Sequence, residues 1–353
     1  MMNLMSDRKT LVQDATQSLD SYYALSVNPN GTNGTKVGTE ILVKPNSESI
    51  VFTHQAPLSL TPKSKVLIQG IAQPLGSYYA ARMKAYGTNI VAGVSAGQGG
   101  QKLHGIPVFD MVEQALPKTG PLDATIIFVE SYRALDAALE AMDAGIPLIV
   151  LVTGGVPPLD MVRLLRKAET TRTLIVGPSS SGIIVPGKVL LGTQEQEFYT
   201  PGPVGLISRA GTLTYEVALA LTQEKLGQSV SINLGTEAIV ASSFRQWLSA
   251  LVRAETTKAI VLVDQAGGGS EEETAEYIAQ AIDKPVIAYV AGCHTPVDKQ
   301  VSDACAIIAA QLTEPTTIGT TAQHKVDAYR RANIPVAERP SQIPELVRKA
   351  LKA

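Results

Sequence analysis

A chain of 353 residues exceeds one domain at about 150 residues each, and 45% hydrophobic against 18% charged residues leaves ample apolar surface for packed cores. With 30 Lys+Arg against 32 Asp+Glu, the formal charge of -2 excludes a basic footprint for nucleic acid or an anionic membrane surface. Apolar runs such as 146–152 fall short of the roughly 18 residues that span a bilayer, the N-terminus MMNLMSDRKT lacks a signal-peptide core, and the distant Cys293 and Cys305 suit a reducing compartment, so a cytoplasmic location is expected.

Residues 1–60 are polar, with an Asn-Gly-Thr cluster at 28–35, and read as an extension that is partly ordered at most. From Lys65 a regular alternation begins: KVLIQG, GSYYAARMKAYG, NIVAGV, ATIIFV, ALDAALEAMDAG and PLIVLV. Short β-branched runs followed by helical periods predict parallel strands joined by helical crossovers. In the first helix Tyr79, Met83 and Tyr86 share one face, expected to pack on the sheet, and Gly87 supplies a left-handed stop. A break at 194–203, rich in charge, Pro and Gly, predicts a domain boundary before the strand VGLIS opens a second series. That series contains a helix with Phe244, Trp247, Leu248, Leu251 and Val252 on one face, which makes the lone Trp a core residue, and ends in a helix near 343–351. The expected fold class is α/β: two tandem doubly wound domains at 61–195 and 200–353, preceded by the extension.

In open parallel sheets ligands sit at the carboxyl ends of strands, and several glycine-rich turns fall there. Gly70 to Gly76 lies between a strand and a helix, where backbone N–H groups and the helix dipole hold phosphate, but it is not GxGxxG and Pro74 offers no donor. Similar turns follow at 93–100, at Thr153 and Gly154, at 177–182, and at Ser208 to Thr214. Each taken singly is also an ordinary turn or N-cap. The acidic run after Ser270 reads as a capping box between Ser270 and Glu273 rather than a catalytic cluster. His54, His104, His294 and His324 show no metal spacing, no nucleophile is placed beside any of them, and no metal site is expected.

From about Lys65 to Leu351 the chain resembles the α subunit of succinyl-CoA synthetase. The likeness rests on YGTNIVAGVSAGQGG (86–100), GIPVF (105–109), PLDM (158–161), VPGK (185–188), SRAGTLTYE (208–216) and GGGSEEE (267–273). It implies a Rossmann-like CoA-binding domain and a flavodoxin-like ligase domain. It further implies a β-type ATP-grasp partner carrying the nucleotide and Mg, in a heterodimer or heterotetramer acting on CoA and a small carboxylic acid. In that family a histidine relays a phosphoryl group, a glutamate assists it, helix N-termini hold the phosphate and a tyrosine lies near the substrate.

Carried onto this sequence, the tyrosine is Tyr215 and the phosphate-holding positions are Ser208, Gly211 and Thr212. The CoA-side positions are Gly70, Gln73, Gly76, Asn89, Thr153 and Gly154. Asp303 stands where the family has its phosphohistidine. Gln265 stands at the assisting glutamate unless Asp264 takes over by a one-residue shift, and Ala210 replaces a serine. Asn89 stands for a lysine, Gln73 for a glycine, and Gly235 to Ala238 for a G-G-D-P turn. The resemblance therefore implies an acid–CoA ligase α subunit whose phosphoryl relay is altered or reduced. A CoA-binding regulatory subunit and a structural partner of a β chain are the competing readings.

Overall fold

The computed structural model describes residues 60–265, 271–293 and 322–352. The N-terminal extension, Asp303 and the Ser270 cap lie outside them.

The first sheet is built from β1 (Val66–Gln69), β2 (Ile90–Val94), β3 (Lys102–Leu103), β4 (Ile106–Phe109), β5 (Ala124–Ile127), β6 (Leu148–Leu151) and β7 (Leu174–Val176). Its helices are α1 (Pro74–Tyr86), α2 (Val112–Thr119), α3 (Ala134–Asp143) and α4 (Pro158–Thr171). Strand order is β3-β4-β2-β1-β5-β6-β7, parallel except for β3 against β4. Strands β1, β5 and β6 are buried along their whole length, as a sheet covered on both faces requires. Winding reverses between β1 and β5, which opens a crevice above their carboxyl ends.

The second sheet contains β8 (Gly182–Val185), β9 (Val189–Gly192), β10 (Pro201–Ser208), β11 (Gln228–Asn233), β12 (Ala259–Gln265), β13 (Val286–Ala291) and β14 (Val336–Ala337). With it go α5 (Leu213–Gln223), α6 (Phe244–Arg253), α7 (Glu271–Ala281), α8 (Ala322–Arg331) and α9 (Ile343–Ala350). The order is β14-β13-β12-β10-β11-β8-β9. Read from β11, the parallel part runs 2-1-3-4-5, the flavodoxin-like arrangement, with its switch point between β10 and β12.

The two sheets divide earlier than the sequence break suggests. β8 and β9 form a hairpin that pairs antiparallel with β11, Ile184 opposite Ser231, so residues 182–192 belong to the second sheet and not to a first domain reaching 195. The Pro- and Gly-rich stretch at 194–203 is the lead into β10. Its disruption of pattern is real, but the apolar runs IIV and VLLG before it close the edge of the second sheet.

The face of α1 predicted to pack on its own sheet is shared with that hairpin. Gly192 N–H donates to Met83 Sδ at 3.2 Å, Gly187 N–H to Tyr86 Oη at 2.8 Å, and Thr88 exchanges hydrogen bonds with Leu190. One continuous apolar core consequently runs from Val66, Ile68 and Met83 to Leu191, Leu206 and Trp247, while the opposite face of the first sheet has its own. In α6 the predicted stripe is buried at Phe244, Trp247, Leu248 and Leu251, and Trp247 Nε1–H donates to Ser242 Oγ at 2.9 Å. Ser243 and Gln246 close its N-terminus as a capping box. No helix of the described residues is long and apolar enough to cross a membrane.

Candidate functional site

Three neighbouring strands, β11, β10 and β12, end in turns that touch one another. After β10 the chain turns through Ser208 to Thr212 into α5. Ser208 is fully buried: its hydroxyl accepts from Ala210 N–H at 3.0 Å and shares a hydrogen bond with Thr214 Oγ1 at 2.7 Å. Sequence comparison placed it among the phosphate-holding groups, but here it braces the turn from inside. Asn233 Nδ2 donates to the Ala210 carbonyl at 2.7 Å from the end of β11, locking the same turn. Gly211 and Thr212 are left exposed at the start of α5, where backbone N–H groups and the helix dipole favour an anion. Beyond them Tyr215 stacks on Phe198 with ring centroids 5.4 Å apart. Burial raises the pKa of its hydroxyl, a hydrogen bond with Ser181 offsets part of that, and the group is a neutral donor at pH 7.

At the end of β12, Gln265 is half-buried and its Nε2 donates to the Thr236 carbonyl at 3.4 Å, which seats it beside the β11 turn. Asp264, the alternative catalytic carboxylate, is turned away from this work. Only 1% exposed, it accepts from Gln265 N–H at 2.8 Å through Oδ1 and from Lys325 Nζ at 3.0 Å through Oδ2. A carboxylate engaged at both oxygens in a buried ion pair is a structural bolt. Both of its oxygens thus have partners within the chain.

On the first sheet, Gly70 (φ 78°) turns the chain above β1 and lies against Val129 at the end of β5, so the Gly70 to Gly76 turn sits at the switch point. Gly76 packs so closely on the Gly70 carbonyl that no side chain fits between them. Gln73, half-buried, caps α1 with its carbonyl, which accepts from Ser77 N–H at 2.8 Å. Tyr79 of α1 stacks on Phe128 after β5, centroids 6.0 Å apart. Asn89 is not part of this group. It precedes β2 at the amino end of the sheet and donates to the Lys63 carbonyl at 3.3 Å, so the parallel topology puts the sheet's length between it and the other CoA-side positions.

Thr153 and Gly154 follow β6, with Thr153 Oγ1 donating to the Val129 carbonyl at 2.5 Å. Here the two sheets meet. Glu237, in the turn after β11, accepts from Gly155 N–H at 2.6 Å and from Ser179 Oγ at 2.5 Å through the same oxygen. Replacing Glu237 with Ala strands both donors and should lower unfolding free energy by about 1–3 kcal/mol, measurable by urea denaturation. Glu237→Gln, which keeps an acceptor oxygen, should lose less.

Large apolar side chains stand exposed where the strands of the first sheet end: Leu75 after β1, Met111 after β4, Tyr132 after β5 and Leu159 after β6. Glycine turns at the strand ends beside exposed apolar side chains fit a ligand with both a polar part and an apolar arm. Sequence reasoning missed Lys325; Ser179 and Glu237 lie in turns it singled out, 177–182 and 235–238, but their contact with each other comes only from tertiary structure.

A doubly wound crevice joined to a flavodoxin-like crest by a carboxylate defines a two-domain α/β protein with its ligand positions at the strand ends. Residues 61–155 match the family model described as CoA binding domain, and residues 207–328 that described as CoA-ligase. The chain is 39% identical over 293 residues to the α subunit of ADP-forming succinate–CoA ligase from Aquifex aeolicus, covering 82% of this chain and 93% of that one. It is 39% identical over 282 residues to the α subunit of malate–CoA ligase from Methylorubrum extorquens, covering 79% and 93%. The chain belongs to the succinate–CoA ligase α-subunit family. Its fold is also that of ATP citrate lyase from Methanothrix soehngenii, solved with citrate and coenzyme A (TM-score 0.73, 21% identity), where it covers 83% of this chain and spans 50% of the other.

Proposed function

We propose that this chain is the CoA-binding α-type subunit of a heteromeric acid–CoA ligase, joining a small carboxylic acid to CoA with a nucleoside triphosphate handled by a β-type ATP-grasp partner. The observation that carries the reading is the junction at Glu237, where the turn after β6 in the CoA-binding half meets the crest of the ligase half. A thioester-forming reaction needs both in one site. Coenzyme A, held at the Gly70 to Gly76 turn and against the exposed apolar residues of that crest, would supply the thiol that receives the acyl group. Gly211 and Thr212 N–H groups then hold an anion, and Tyr215 donates a proton-bearing hydroxyl nearby.

By the resemblance, the relay is where this chain departs from the family's pattern. Asp303 takes the place of the phosphohistidine, and a phosphoryl group on a carboxylate is itself an acyl phosphate, so the imidazole's role does not pass to it unchanged. Gln265, an amide, cannot act as a general base as the family's glutamate can. Catalysis is therefore altered or reduced. The same Gln265 favours a second reading, a CoA-binding subunit that regulates or supports a β chain without turning over.

Co-expression with a β subunit, followed by calorimetric titration with CoA and a ligase assay with succinate, CoA and ATP, tests both. CoA binding with low turnover that rises in Asp303→His is expected. CoA binding with no turnover in either form selects the second reading, and a flat CoA titration overturns both.

A further inference from the structure

We propose that Phe198 is a positioning residue for Tyr215, holding its ring so that the hydroxyl is presented to the carboxylic acid in one orientation. The inference rests on the ligase reading for the acid, and on the geometry of this chain for the hold on Tyr215. Phe198 closes a single 3₁₀ turn, Gln196–Phe198, on the way into β10. Its ring centroid lies 5.4 Å from that of Tyr215 with the ring planes 29° apart, and both residues are half-buried against the common core. Stacking at this separation is a favoured packing of two aromatic faces.

Tyr215 and Thr222 stand two helical turns apart on one face of α5, and the segment carrying Phe198 runs along that face. Thr222 Oγ1 donates to the Phe198 carbonyl at 2.8 Å, so the backbone behind the ring is tied to the helix that bears Tyr215. On its other side Phe198 N–H donates to the Glu195 carbonyl at 3.2 Å. The Glu195 carboxylate lies 2.8 Å from Arg82 Nη2 of α1, and Glu197 lies 3.6 Å from the same nitrogen. The turn is thus anchored on α5 and on α1 together. Tyr215 needs such a support: it is the third residue of α5, preceded by the exposed Gly211 and Thr212. Phe198 covers one face of its ring, and Ser181 engages its hydroxyl. A side chain held at ring and tip meets a substrate without first losing rotamer freedom.

The test pairs a spectroscopic titration of the full chain with ligase assays of its complex with a β subunit. Phe198→Leu and Phe198→Met both remove the ring and keep apolar bulk, so either one that folds serves; Phe198→Tyr keeps the stack. The tyrosinate absorbance of each protein minus that of its Tyr215→Phe counterpart isolates Tyr215. Burial raises the pKa of that hydroxyl, Ser181 and Arg82 act against the rise, and Glu195 and Tyr79 add to it. Opening one ring face to water in Phe198→Leu should bring ionisation to lower pH, and Phe198→Tyr should restore it. In the assay Phe198→Leu should lower kcat about two- to tenfold, the range of an aromatic pair, with KM for CoA unchanged. Added to Tyr215→Phe it should cost nothing more, because the group it positions is already gone. A Tyr215 ionisation that stays in place in the ring-less variants overturns the proposal, as do losses that multiply when Phe198→Leu is combined with Tyr215→Phe. A shifted ionisation in a complex without turnover removes the ligase reading and leaves Tyr215 held by Phe198; turnover with an unshifted ionisation does the reverse.

Discussion

Lys325→Met is expected to lower the unfolding free energy by about 3–5 kcal/mol, the cost of leaving a buried carboxylate without its partner. The ammonium of Lys325, on α8, lies 3.0 Å from Asp264 Oδ2 at the end of β12, and each side chain is 1% exposed. Neither ion keeps its water, so each depends on the other. The double replacement Asp264→Leu with Lys325→Met should recover most of the loss, since an apolar pair in a buried site is often as stable as the ions it replaces. Urea unfolding of the two single variants and the double gives the coupling energy directly. Additive losses would show that the two residues stabilise the fold independently. The functional consequence falls on Gln265, whose N–H donates to Asp264 Oδ1 and whose backbone the pair anchors.

Gly76→Ala should cost about 3 kcal/mol, the upper end for overpacking, and abolish binding of coenzyme A. A methyl group at this position would press into the Gly70 carbonyl and come within 3.3 Å of Ile71 Cα, and both contacts are backbone rather than a side chain able to swing away. Relief requires α1 to move from the end of β1, which displaces the turn that lies at the switch point. Circular dichroism on heating and calorimetry with CoA separate the two effects. A folded Gly76→Ala protein with undiminished CoA affinity would place the ligand elsewhere than this turn. Gly87→Ala is the control: its left-handed φ of 105° strains a side chain, but no atom stands in the way.

Much of the fold was legible because local signals agreed with one another. β-branched runs such as VLIQ, ATII and LIVL are buried strands, and the Phe244 to Leu251 stripe is a buried helix face, as their periods predict. What escaped was tertiary. The residues of β8 and β9 carry no mark of which sheet they join, because edge pairing is decided by the free N–H and C=O groups of β11. Asn89 follows a familiar motif, yet motif adjacency along the chain says nothing of which end of a parallel strand a residue occupies. Ser208 illustrates a third limit: a hydroxyl at a strand end can face a ligand or its own turn, and only the positions of Thr214 and Ala210 decide. Asp264 read as a spare carboxylate until Lys325, distant in sequence, came to lie against it.

The core that passes from the first sheet through α1 to the β8–β9 hairpin makes sequence domains and folding units different things. A fragment ending before Gly182 would keep the whole Rossmann-like winding and still expose Met83, Tyr86 and the α1 side of β1 to water. Melting the second sheet strips a wall from the first, so unfolding of the two halves is expected to be coupled, which calorimetry would read as one transition rather than two. Anything that stiffens one half, a coenzyme in the first crevice included, is thereby felt as stability in the other.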